Sequence, residues 1–95
     1  MKTERVICAA VYWADSNVFR HQPINIYNGI VITGLRHSNC YEILKQIPSV
    51  HKSDEFIEGF LTSFNKFLNR EESAKLFTTY NPEFNKNELY SEDLY

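Results

Sequence analysis

The sequence predicts a small α+β domain, in which an antiparallel β-sheet opened by an N-terminal meander or hairpin packs with two short helices. Three observations carry that expectation. They are the apolar run VICAAVYWA at 6–14, an Asn28-Gly29 pair between two apolar stretches, and two capping-box patterns that each introduce a helix. The 95 residues make a single domain, 1–95, of which 43% are hydrophobic and 15% aromatic, enough for a modest core.

The run from Val6 to Ala14 is continuous and rich in β-formers, as in a strand buried on both faces. Asp15-Ser16-Asn17 is turn chemistry. A second extended piece is expected from Val18 to Tyr27, interrupted by Pro23, and Asn28-Gly29 then reads as a hairpin turn into a third strand, Ile30 to Thr33. Asn39 followed by Glu42 reads as a capping box, and Cys40, Ile43, Leu44 and Ile47 fall on one helical face that Pro48 ends. After the polar link SVHKSDE at 49–55, the stretch EGFLTSFNKFLNREESAKLF holds a second box, Asn69 with Glu72. It introduces a helix from about Arg70 to Thr78 that turns Ala74 and Phe77 inward. The acidic, aromatic tail ELYSEDLY is long enough for one more short strand or a docking segment.

Composition removes several function classes. A net charge of −2 with a pI near 5.9 argues against gripping duplex DNA, but leaves room for a small anionic ligand met by local cations. Cys8 and Cys40 form no C-x-x-C pair, and with His21, His37 and His51 they have no metal-ligand spacing, so neither a metal nor a cofactor is expected. The apolar run at 6–14 lacks a cleavage site and follows Glu4, no stretch is long enough to cross a bilayer, and a cytosolic protein is expected.

In GLRHSNC at 34–40, Arg36 and His37 precede the free N–H groups of a helix start, a ready anion site. The plainer reading pairs Arg36 with a carboxylate and packs His37 on the sheet. Arg70 stands at the first position of the second helix, where the dipole disfavours a cation by roughly 0.3–1 kcal/mol, so it invites an anion. The plainer alternative is a surface bridge to Glu71 or to the acidic tail. Cys40 with His37 three residues earlier could form a nucleophile pair, yet Cys40 also lies in register with the apolar helix face and reads better as a core thiol. Among Phe60, Phe64 and Phe67, interleaved with Thr62, Ser63 and Asn65, at least one ring belongs to the core. Another could stack on a base while hydroxyl and amide groups bind ribose or phosphate, and Tyr12 and Trp13 carry the same ambiguity.

The stretches AAVYW, GIVITGLRH, EGFLTSFNKFLNREESAKLF and LYSEDLY, in that order, resemble a group of small phage-borne proteins. Those carry a Gly-x-Arg-His turn, a Gly-Phe-x-Thr segment running into Asp/Asn-Arg-x-Glu-Ala, and a closing Ser-Glu-Asp-Leu-aromatic. The group includes the first Thoeris anti-defence family, and the resemblance extends from Val6 to the C-terminus. It implies an α+β protomer that pairs and assembles as far as hexamers in the host cytoplasm. It also implies sequestration of glycocyclic ADP-ribose, in some members also of cyclic trinucleotides, without cleavage. By motif, the ligand-binding residues it implies are Arg36, His37, Phe60, Thr62, Asn69 and Arg70, and Asn65 joins them as the candidate amide of the interleaved stretch. The chain departs from the pattern at Ser38-Asn39, where an acid is expected after the histidine, at Lys66 for arginine and at Ser73 for alanine. Two other classes stay open: an enzyme that degrades the messenger, and a protein–protein inhibitor using the acidic tail.

Overall fold

The computed structural model describes residues 3–14, 17–48, 50 and 55–94. Along the chain run β1 (Val6–Trp13), β2 (Ile30–Gly34), α1 (His37–Leu44), β3 (Phe56–Thr62), β4 (Phe67–Asn69) and α2 (Arg70–Tyr80), with a closing 3-10 turn at Ser91–Asp93. The four strands form one sheet in the order β2-β1-β3-β4, each neighbour antiparallel. This is the small α+β architecture that the sequence predicts.

β1 is apolar throughout because it is an inner strand. Ala9, Ala10 and Val11 have no exposed surface, whereas Ile7, beside a register irregularity between Val6 and Cys8, is 51% exposed. Burial on both faces therefore holds for the middle of the strand and not for its start. Both helices lie on the face that carries Ala9, Val11 and Trp13. Ala9 packs with Phe60, Ala74, Phe77 and Leu89 beneath α2 and the tail, and Val11 and Trp13 pack with Cys40 and Leu44 beneath α1.

The N-terminal hairpin is corrected. Residues 18–27 form turns, with a single parallel bridge from Val18 to Gly29, and β2 pairs instead with β1 in a register that sets Trp13 opposite Ile30. Pro23 has no N–H for a ladder, and the segment's polar side chains bind other strands. Gln22 Oε1 accepts from Val31 N at 2.7 Å, and Asn25 grips the Phe67 backbone by donating to its carbonyl (2.6 Å) and accepting from its N–H (2.8 Å). Gly29 keeps the left-handed backbone, φ 89°, that made Asn-Gly look like a turn. Of the turn expected at 15–17, Asp15 and Ser16 lie outside the described residues, as do 49 and 51–54 of the polar link.

β3 and β4 were not anticipated. Glu58 and Gly59 interrupt the alternation FIEGFLT, yet Gly59 suits this strand. A Cβ there would lie 2.0 Å from Leu68 O and 2.9 Å from the Phe67 ring, so only glycine admits β4 so close. Asn65, φ 60°, makes the turn between the two strands.

α1 begins earlier than the Asn39–Glu42 pattern implies. Its N-cap is Arg36, and Asn39 sits in the first turn, where Oδ1 accepts from Arg36 N at 2.9 Å. Glu42 instead pairs with Lys45 on the surface. Cys40 and Leu44 are buried as expected, Ile43 is 46% exposed, and the helix stops at Leu44, short of Ile47. α2 starts where the sequence places it. Asn69 Oδ1 accepts from Glu72 N (2.8 Å), Glu72 Oε1 accepts from Asn69 N (3.0 Å), and the helix continues to Tyr80 with Ala74 and Phe77 buried. The tail is a docking segment: Leu89 is fully buried and its N–H donates to Arg70 O at 3.0 Å.

Candidate functional site

Because both helices start on the same side of the sheet, α1 at His37 and α2 at Arg70, a wide-mouthed hollow of about 640 Å³ opens between them. Arg36, His37, Ser38 and Tyr41 line it from α1, Glu58 from β3, Arg70 from α2, and Tyr90, Ser91 and Glu92 from the tail.

Arg70 is the centre of this arrangement. Its Nη2 donates to Glu58 Oε1, its Nη1 donates to Leu89 O at 2.8 Å, and the guanidinium carbon lies 4.3 Å from the centroid of the Tyr90 ring, a cation–π contact. The partner is therefore Glu58, from the middle of the sheet, rather than Glu71 or a tail carboxylate. Tyr41 O–H donates to the other Glu58 oxygen at 2.7 Å. Burial pushes the Glu58 carboxyl up, but the Arg70 and Tyr41 hydrogen bonds together outweigh it and hold it below its ordinary value. Burial, and then the bond to the anionic Glu58, push the Tyr41 phenol up.

His37 packs on the sheet, 8% exposed, with its ring edge-on to Phe60 at 5.2 Å between centroids. Nε2 lies 2.8 Å from Gly59 O, and a carbonyl only accepts, so Nε2 carries the proton. Burial holds the imidazole below its ordinary pKa, against the Gly59 bond. Cys40 is fully buried and its thiol is pushed up to about 11 by burial, the opposite of an activated nucleophile.

Of the residues singled out from sequence, Arg36, His37 and Arg70 come together. Phe60 and Thr62 do not reach the hollow. Phe60 has no exposed surface because it fills the core under α2, so its ring has no face for a base. Thr62 is 1% exposed, and its Oγ1 donates to Glu4 at 2.6 Å. Asn65 belongs to the β3–β4 turn, where its carbonyl accepts from Ile24 N. Asn69 gives its side chain to the α2 cap. Tyr12 O–H donates to Asn28 O, and Trp13 is 7% exposed in the core. Sequence reasoning missed Glu58, Tyr41 and Tyr90. For Glu58 a signal existed: it is the one charged residue within a mostly apolar strand, a placement that calls for a buried partner.

Among the described residues no group of histidine, cysteine and carboxylate side chains could hold a metal ion, and no helix is long and apolar enough to cross a membrane. Residues 5–95 match the family model described as Phage T4 y16D protein. No curated protein and no solved structure matches the chain.

Proposed function

The chain belongs to the phage T4 y16D protein family, and we propose that it is a nucleotide-binding protein that sequesters a messenger of the glycocyclic ADP-ribose type, without cleaving it, inside the infected host. One observation carries the reading: Arg36 and Arg70, from different elements, line one hollow beside the rings of Tyr41 and Tyr90. Guanidinium groups suit phosphates and tyrosine faces suit a base. Tyr90, 38% exposed, takes the stacking role that the sequence expected of Phe60.

The reactive candidates favour holding over cleaving. Catalysis needs a nucleophile or general base poised near the working pH. Cys40 is buried with a raised pKa, His37 donates its Nε2 proton to a backbone carbonyl, and both Glu58 oxygens accept hydrogen bonds.

Magnitudes argue for assembly. A nanomolar complex requires roughly −12 kcal/mol. Two arginine–phosphate contacts at roughly 1.5–3 kcal/mol each and one stacked base at about 1–3 kcal/mol fall short before ordering costs. A second copy closing over the mouth would exclude water and add contacts, so the binding unit proposed is a homo-oligomer, a dimer or a larger assembly up to a hexamer.

The test mixes glycocyclic ADP-ribose with excess protein, removes the protein by filtration, and then heat-denatures the retained fraction. Sequestration predicts loss from the free pool and recovery of intact ligand on denaturation. Recovery of linear ADP-ribose, with one protein consuming many ligands, would make it an enzyme. An undiminished free pool would sink this ligand, leaving cyclic trinucleotides to titrate and then the protein–protein inhibitor.

A further inference from the structure

The two edges of the sheet are finished differently. β4 is short and its outward groups are taken. The Asn25 side chain holds both the N–H and the carbonyl of Phe67, and Glu72 Oε1 accepts from the N–H of Asn69, where the strand runs into α2. At β2 the Gln22 side chain takes one group only. Val31 N–H donates to Gln22 Oε1 and so faces away from β1, although Val31 stands opposite Tyr12. Orientation alternates along an antiparallel strand, so the N–H and carbonyl of Thr33, opposite Ala10, point outward as well. Thr33 is exposed, and Leu35, just past the strand, is 58% exposed. The strand IVITG carries neither the charge nor the proline that commonly guards an edge.

We infer that the β2 edge is an interface for a second copy of this chain, which pairs its own β2 antiparallel across a two-fold axis at Thr33, so that the two sheets run on as one. The register argues for this occupant. Gln22 holds the N–H of Val31, so a ladder running on past Val31 is blocked and pairing centres on Thr33. There the strand is complementary to itself. Each Thr33 exchanges N–H to carbonyl bonds with Thr33 of the second copy, and each Leu35 comes opposite Val31 of the other, apolar against apolar. No charge is set against a like charge anywhere along the pairing. An unrelated strand would gain the backbone bonds without these matched side chains. No residue of β2 lines the hollow, so the interface stands apart from the nucleotide reading while giving the assembly proposed there a defined surface.

The test measures the mass of the full chain by analytical ultracentrifugation, in wild type, Thr33→Lys, Thr33→Glu and Thr33→Pro, with melting curves to show that each folds. The wild type should return an even multiple of 11.2 kDa. Thr33→Lys or Thr33→Glu alone sets like charges directly opposite each other at the axis, which should weaken pairing about tenfold and move the mass toward half the wild-type value. An equal mixture of the two places Lys opposite Glu and should restore the wild-type mass. Thr33→Pro removes the outward N–H without breaking a bond to β1, and should stay at half mass alone and in every mixture. Should Thr33→Pro fail to fold, the Lys and Glu mixture decides the matter. A monomeric wild type overturns the inference, as expected if the edge serves an extended segment of another protein. So do charged variants that keep the wild-type mass, or a mixture that stays at half mass. Nucleotide binding enters none of these readouts, so its failure would sink the sequestration reading and leave the interface to be judged by mass alone.

Discussion

Arg70 shows how one side chain can answer several needs. Alone at a helix start it opposes the dipole, but Glu58, Leu89 O and the Tyr90 ring surround it, so it joins sheet, helix and tail. Arg70→Ala should therefore cost stability, about 2 kcal/mol, as expected for lost hydrogen bonds to a charged group, as well as weakening nucleotide binding. Chemical denaturation and calorimetry read the two effects separately, and an Arg70→Ala protein as stable as wild type would remove the clasp. At His37 the prediction concerns pH. Its folded pKa lies below the ordinary 6.5, so the unfolded chain binds the proton more readily, and stability falls as pH drops from about 6.5 toward the folded value. Glu58 is also depressed, and its contribution is lost only at more acid pH, below the ordinary carboxylate value of 4.5. Melting temperatures at pH 7.5 and 5.5 should thus differ in wild type. Much of that difference should vanish in His37→Gln, which keeps a donor for Gly59 O but does not titrate in that range.

Among the elements, α2 and α1 make an instructive pair, since both carry Asn-x-x-Glu. In α2 the pattern forms the reciprocal box. In α1 the first turn is set by the sheet, because His37 must reach Gly59 O and Cys40 must lie under β1, so the helix starts three residues early and Asn39 caps from inside. Asn69→Ala should accordingly destabilise the protein by about 1 kcal/mol, the usual worth of an N-cap side chain. Asn39 works from within the helix, where its Oδ1 accepts from Arg36 N in a half-open turn, and Asn39→Ala should cost less. Paired urea titrations of the two variants check the order, and the reverse order would mean that the caps have been misassigned. The segment 18–27 failed to become a strand for a related reason. It is held by its Gln22 and Asn25 side chains to β2 and β4 rather than by a backbone ladder.

At the scale of the molecule, the hollow is open and one loop carries several exposed apolar side chains. Val18 and Ile24 are each 70% exposed and Tyr27 is 87% exposed, on a loop pinned to the sheet by Gln22 and Asn25. Surfaces of that kind mark contact sites, and light scattering at micromolar concentration should return a multiple of 11.2 kDa. A strict monomer would remove the closed-pocket argument for tight binding. The sequence by itself determined what depends on near neighbours along the chain: an inner strand from the run at 6–14, the strand at Ile30–Thr33, the α2 cap at Asn69, the buried thiol of Cys40, and the two arginines worth following. Only the tertiary structure decided which strands pair, since β1 chose β2 and β3 by long-range burial that no local signal encodes. The same long-range packing sank Phe60 and Thr62 into the core and brought Glu58, Tyr41 and Tyr90 to Arg70. An ion pair between a strand and a helix twelve residues on leaves no periodicity to read, because it depends on where two elements cross and not on what either one is.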